Sequence, residues 1–433
     1  MKKTLLTVLS VMLVAVLSLT LFACASKEEP KEIKGPASDV SAYKSGTGYD
    51  TVNDPLSWEA INEFPVVHDG MTIEEGRKLV VDFFRYTKTA VWIPNESYDY
   101  KIKSANTDSE HIEGYVKYGG LPYISLASGN IYRLMDYMDP ETAVVDIKTA
   151  GMKDKLFGNQ CSFGSYVGAG RVINSAYYSW TKNMTPKNGF VPIGQYSIDP
   201  VVNSFANGGY NTIKILEENG QEMMNESYAG LVAGDVIVYY TTAGHVVMIS
   251  EDAHVERLAD GTIDAAKSYV KVIDQTPGHS ETKNEAGDSF AYEKNVDAKW
   301  TFQKLWDGHY VPYTFKEWTG EDPIESSKTT YSHTGDTITM EQLYGSKVTS
   351  NYGVMDIYFS VYNAKGVEVY KLATRATETS VKEMQFKKPA VVGEVDVWGE
   401  EANIYADQEY TVKVYAQIST GERPTLWEGK LAH

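Results

Sequence analysis

Hydrophobic positions that repeat with a helical or a two-residue period predict much of the regular structure of this chain. Thr72-Ile73-Glu74-Glu75 is a capping box followed by hydrophobic residues at helical spacing, which predicts a helix to about Ala90. A linker is predicted from Gly320 to Lys328. Beyond it, alternating hydrophobic and polar residues predict about seven short strands, as in an immunoglobulin-like or fibronectin-like β-sandwich.

The middle of the chain predicts three neighbouring strands. Hydrophobic residues 236–240 and 245–249 flank a short turn at 241–244, which is typical of a β-hairpin. Residues 268–276 predict the next strand after a turn that contains Gly261. Polar side chains that lie at the ends of these strands are therefore candidates for a common site.

Cys161 precedes a segment rich in small residues, 163–176, which predicts a closely packed helix. A cysteine at a helix N-terminus meets unpaired N–H groups and the positive end of the helix dipole, and both favour the thiolate. The alternative is a buried structural cysteine without chemistry.

His245 opens the second strand of the predicted hairpin and is the candidate base for Cys161. Asp274 lies late in the next strand, where its carboxylate can orient the imidazole and stabilise the imidazolium. Gln275 points to the opposite face by strand alternation. His254 is a rival for the third polar group, but on an unbroken strand it faces away from His245.

The order of these residues resembles the papain-like peptidase superfamily, and within it the NlpC-like cell-wall endopeptidases and CHAP amidases. The resemblance covers about residues 115–276 and rests on five short segments: Tyr118-Gly119-Gly120-Leu121-Pro122-Tyr123, Gln160-Cys161-Ser162, Leu231 to Gly234-Asp235, Gly244-His245-Val246 and Val272-Ile273-Asp274.

The resemblance implies an α+β papain-like domain that hydrolyses amide bonds in peptidoglycan stem peptides or other peptides. Cys161 would be the nucleophile, His245 the base and Asp274 the third member of the triad. The Cys161 N–H and a side-chain donor would hold the oxyanion. Gln160, Tyr123 and Gln275 are candidates for this donor or for substrate contact.

The chain departs from the NlpC-like pattern beside the nucleophile, where it has Gln160 in place of the usual aspartate and Ser162-Phe163 in place of the usual serine-glycine. The order Cys, His, Asp also suits transglutaminase-like proteins, so acyl transfer stays open. A third possibility is a surface lipoprotein that binds its ligand with a degenerate, non-catalytic hydrolase fold.

The N-terminus predicts export. Residues 1–23 combine two lysines with a long hydrophobic stretch and are followed by Cys24, which resembles a bacterial lipobox. Cys24 would carry the lipid and hold the protein at the outer face of the cytoplasmic membrane, with an uncleaved membrane anchor as the alternative. Residues 24–50 predict a flexible tether, residues 51–320 the hydrolase domain and residues 321–433 the sandwich.

Composition narrows the possible partners. A net charge of -18 argues against nucleic acid. With only two cysteines and no metal-ligand spacing, the sequence predicts neither a disulfide scaffold nor a metal or other cofactor. The predicted partners are peptidoglycan or a peptide as substrate, the membrane through the lipid, and wall, glycan or protein for the C-terminal sandwich.

Overall fold

A computed structural model describes residues 56–101, 109–124, 129–151, 158–198, 210–277, 296–389 and 395–433. The predicted leader and tether, with Cys24, lie outside these residues. Within the described part of the chain, no helix has the length and hydrophobicity needed to cross a bilayer.

The chain is a mixed α/β protein with several β-sheets. The helices are Trp58–Glu63 (α1), Ile73–Thr89 (α2), Ile131–Met135 (α3), Ile147–Gly151 (α4), Cys161–Ala169 (α5), Thr212–Tyr228 (α6), Phe302–Asp307 (α7), Lys316–Thr319 (α8) and Met340–Gly345 (α9). The predicted capping box is present at the start of α2, where Thr72 and Glu75 bind each other's backbone N–H.

The described strands up to residue 320 form three sheets. They are Val91–Pro94 (β1), Tyr98–Lys101 (β2), Ser109–Ile112 (β3), Tyr118–Gly119 (β4), Val144–Val145 (β5), Phe190–Pro192 (β6), Val236–Tyr240 (β7), Gly244–His254 (β8), Tyr269–Ile273 (β9), Ala298–Thr301 (β10) and Val311–Phe315 (β11). The largest sheet has the order β10-β9-β8-β7-β11-β6, beside a sheet β4-β1-β5 and the pair β2-β3.

The C-terminal region is rich in β-structure, and its described residues form two sheets. Its strands are Thr329–Tyr331 (β12), Thr337–Thr339 (β13), Lys347–Ser350 (β14), Val354–Asn363 (β15), Glu368–Arg375 (β16), Glu383–Gln385 (β17), Val395–Gly399 (β18), Tyr410–Ile418 (β19) and Thr425–Ala432 (β20). One sheet has the order β12-β14-β17 and the other β13-β20-β19-β15-β16-β18.

This region packs tightly on the rest of the chain. All eight residues from Val354 to Val361 in β15 are buried, although their sequence alternates between hydrophobic and polar. Asp356 on this strand binds the fully buried Arg133 of α3, with 2.7 Å between the closest atoms. The polar face of β15 is thus an internal contact surface.

The predicted linker also packs against the rest of the chain. Ile324 is buried, and Ser326 donates its N–H to Asp69 at 2.7 Å.

Helix α5 is buried along its whole length. Phe163 and Val167 belong to one hydrophobic core, with α2 and α3, while Cys161 and Ala169 belong to the other, which continues into the C-terminal region. A helix enclosed on all sides has little freedom to shift, so its first residue is held firmly.

Substituting Gly168 tests how tightly α5 is enclosed. A Cβ atom at this position would lie 2.5 Å from Cβ of Phe84 on α2. We expect Gly168→Ala to lower the free energy of unfolding by about 1–3 kcal/mol, because overpacking outweighs the gain in helix propensity. Gly345 at the end of α9 has no atom within 4 Å of its added Cβ. Gly345→Ala should therefore be neutral or slightly stabilising in the same urea titration, and equal effects of the two substitutions would contradict the tight packing.

Candidate active site

The candidate nucleophile lies at the first position of α5. Gln160 is the extended N-cap residue and its side chain makes no capping hydrogen bond, while Ser165 Oγ donates to the Cys161 carbonyl at 2.9 Å. The prediction that this helix continues to Ala176 is wrong, since it ends at Ala169. Two glycines near this end, at 168 and 170, lower the helix propensity there. Cys161 is a free thiol and only 5% exposed.

The candidate base lies on the predicted hairpin, which the structure contains. Strands β7 and β8 are antiparallel, and His245 near the start of β8 pairs with Tyr239. Strand β9 then pairs with the other edge of β8, with Met248 opposite Ile273. Since Asp274 directly follows Ile273 and His245 lies three residues before Met248, both come to the same end of the two strands.

The imidazole and the carboxylate are in direct contact. Nε2 of His245 and Oδ1 of Asp274 are 2.7 Å apart, and the exposed fractions of the two side chains are 19% and 6%. Because Nε2 is taken by Asp274, Nδ1 is the nitrogen left for another partner. This is the orienting contact that a general base requires.

The Cys161 thiol acts on the same imidazole. Burial by itself lowers the pKa of His245, but negative charge on Cys161 and on Asp274, with a side-chain hydrogen bond to each, raises this pKa to about 10. The ring thus stays protonated through neutral pH whenever both neighbours are ionised. A positive imidazolium beside a thiol favours the thiolate.

Tyr123 and Gln160 lie beside this group. Tyr123 forms a β-bridge with Asn159, two residues before the nucleophile, and its side chain is half-buried. Burial, with smaller contributions from the charges of Cys161 and Asp274, raises the pKa of the Tyr123 hydroxyl. This hydroxyl therefore stays a neutral donor near the thiol. Gln160 is half-buried at the helix N-cap.

Gln275 is occupied by contacts within the protein. Its side-chain NH₂ lies 3.2–3.3 Å from the carbonyl oxygens of Leu121, Pro122 and Asn159, and its Oε1 accepts from Lys88 Nζ at 2.5 Å. The side chain is buried, with 1% exposed. These contacts tie the end of β9 to the segments that carry Tyr123 and Cys161, and they use both the NH₂ and the Oε1 of Gln275.

His254 lies elsewhere on β8. Its ring stacks on Tyr269 with centroids 4.7 Å apart, and Nε2 is 3.5 Å from Glu256. The strand has irregular register between Ile249 and His254, so simple alternation does not describe this part of it. Asp274, not His254, contacts His245.

Two residues near the site were missed by sequence reasoning. Lys88 lies on α2, and its ammonium contacts the Gln275 side chain, 187 residues away in the sequence. Tyr310 precedes β11 and feels the charges of Asp274 and Cys161. Neither belongs to a local motif, although Tyr310 does fall in the aromatic-rich segment 300–318.

Among the described residues, no group of three or more His, Cys, Asp or Glu side chains is arranged to hold a metal ion. No protein-family model matches the chain, and no curated protein is significantly similar to it in sequence.

Proposed function

We propose that this protein is an extracytoplasmic thiol hydrolase that cleaves amide bonds in peptidoglycan stem peptides or other peptides. One observation carries the proposal: a single imidazole contacts Asp274 through Nε2 at 2.7 Å and also interacts with the Cys161 thiol at a helix N-terminus. A base that interacts with both a nucleophile and an orienting carboxylate is what thiol-dependent acyl chemistry requires.

The proposed reaction has two steps, acylation of Cys161 and hydrolysis of the thioester. The Cys161 thiolate attacks the amide carbonyl carbon, and the His245 imidazolium donates its proton to the leaving amine as the C–N bond breaks. Water then attacks the thioester carbonyl while the neutral imidazole accepts its proton, so that the C–S bond breaks and thiolate and imidazolium return. The Cys161 N–H at the start of α5, with Tyr123 or Gln160 as second donor, stabilises the oxyanion.

The proposal includes a fold for each of the two regions. A cysteine on a buried helix against an antiparallel sheet that carries histidine and aspartate supports a papain-like, NlpC-like domain. The two C-terminal sheets support an immunoglobulin-like or fibronectin-like sandwich. Lipidation at Cys24 and binding of wall, glycan or protein by the sandwich complete the proposed envelope protein.

The pH dependence of alkylation tests the activated thiol. The proposal requires the His245 imidazolium, whose pKa is raised to about 10, to hold Cys161 as a thiolate across neutral pH. Iodoacetamide should therefore modify Cys161 at a nearly constant rate from about pH 6 to 9, where an ordinary thiol of pKa about 8.5 would react ever faster. The readout is mass spectrometry of the Cys161 peptide, with Cys161→Ser as control. A rate that rises only above about pH 8 would exclude the proposed nucleophile.

Acyl transfer is the alternative reaction of the same site. In peptide digests, an amide product formed with an added primary amine would indicate acyl transfer in place of hydrolysis.

A further inference from the structure

A row of aromatic side chains leads away from His245. Tyr239 pairs with His245 across β7 and β8, and directly opposed residues of an antiparallel pair share one face of the sheet. The rings of Tyr239 and Tyr310 are 6.2 Å apart, and those of Tyr310 and Trp300 are 5.5 Å apart. All three side chains are half-buried. The aromatic row, Tyr239-Tyr310-Trp300, therefore forms one continuous surface beside the thiol.

An exposed cation ends this row. Nζ of Lys304 on α7 lies 3.7 Å above the Trp300 ring, and the lysine is exposed. Partial burial lowers the pKa of Lys304, and the charge of Asp274 opposes this effect. The same charge acts on Tyr310. Tyr310 in the row and Lys304 at its end thus both lie within electrostatic reach of Asp274.

Other cations around the site bind polar groups of the protein, whereas the Lys304 ammonium has N–H donors left for a ligand. Lys88 binds Gln275, and Arg77 binds Asp235 at 2.9 Å. No carboxylate of the described residues lies within 4 Å of the Lys304 ammonium. An ammonium that rests on an aromatic face keeps its other donors directed to solvent. In a chain of net charge -18, such a cation is a local site of attraction for an anion.

We propose that Trp300 and Lys304 form a substrate subsite that binds a carboxylate-bearing side chain of the peptide whose amide bond faces Cys161. This inference rests on the proposed thiol hydrolase function and adds to it a substrate class, acidic peptides. The aliphatic part of the acidic side chain packs on the aromatic row, and its carboxylate pairs with the Lys304 ammonium.

A matched pair of affinity reagents tests the subsite. N-iodoacetyl-glutamic acid α-amide and N-iodoacetyl-glutamine α-amide differ by one carboxylate, and each alkylates Cys161 in the full chain. In the wild type we expect the glutamate reagent to react about two- to fivefold faster, the range for an exposed ion pair. Lys304→Gln should abolish this preference, Lys304→Arg should retain most of it, and added salt should weaken it.

Lys299 provides the control. It lies next to Trp300 on β10, is also exposed and also rests on an aromatic ring, with its Nζ 3.7 Å above Tyr269. Adjacent strand residues point to opposite faces, so Lys299→Gln should leave the ratio of the two rates unchanged.

The result that overturns the subsite is a rate ratio that is the same in the wild type and in Lys304→Gln. A preference lost equally in Lys304→Arg would also overturn it, because charge would then not be the cause. The ratio is measurable above pH 8.5 even if Cys161 is an ordinary thiol. Failure of the subsite is therefore distinguished from failure of the proposed hydrolase, which the absolute rate near pH 6 reports.

Discussion

Replacing His245 with glutamine should slow alkylation of Cys161 at pH 6 by about ten- to a hundredfold. An ordinary thiol of pKa about 8.5 is roughly 0.3% ionised at this pH, whereas a thiol beside an imidazolium is held in its reactive form. The greater intrinsic nucleophilicity of an ordinary thiolate offsets part of this loss. Amide hydrolysis should fall further, by about 10²–10⁴, since proton transfer to the leaving amine is lost as well.

His254→Gln is the matched control, because it removes an imidazole from the same strand. The His254 side chain is 50% exposed and contacts Glu256 and Tyr269 outside the site. We expect it to leave both rates unchanged. Asp274→Asn should give an intermediate result, since it removes one of the two charges that raise the pKa of His245. If His245→Gln alkylates as fast as the wild type at pH 6, the imidazole does not activate Cys161.

The parts of the site that sequence could predict are those set by local rules. A period-two pattern interrupted by a short turn predicted the hairpin that carries His245, and the structure contains it with Tyr239 opposite His245. The capping box placed the start of α2 correctly. In both cases the residues that determine the element lie within a few positions of one another.

Contacts between distant segments escaped prediction. Gln275, just beyond β9, binds Lys88 and three backbone carbonyls, and no local sequence pattern shows that it connects these segments. Alternation in the C-terminal region predicted strands with a polar face, yet the polar residues of β15 are buried. Alternation identifies a strand but does not say whether its polar face meets water or another part of the protein.

Ion pairs join the part of the chain that contains α3 to the C-terminal region. Asp136 directly follows α3, and its carboxylate receives three cations of the C-terminal region, Arg375 at 2.7 Å, Lys371 at 3.2 Å and Arg423 at 3.6 Å. Burial alone would raise the pKa of Asp136, but these positive charges, with the hydrogen bond from Arg375, lower it well below its ordinary value.

Asp136→Asn should therefore lower the free energy of unfolding at pH 7 by about 3–5 kcal/mol, the cost of leaving buried charges without their counterion. The sign of the pH effect follows from the lowered pKa. The carboxylate stabilises the folded state above about pH 4, and this contribution is lost as the pH falls through the lower pKa of the folded state. The variant should accordingly lose part of the acid dependence of stability, measured by urea denaturation between pH 3 and 7.

A surface ion pair of the same region gives the comparison. Glu428 lies 3.3 Å from Lys413, and both side chains are at least 42% exposed. Glu428→Gln should change stability by less than about 1 kcal/mol. If Asp136→Asn is equally mild and the two regions still unfold together, the buried charges do not hold them together, and hydrophobic contacts alone account for their association. A large loss would instead make the C-terminal region a structural support of α5 and its thiol.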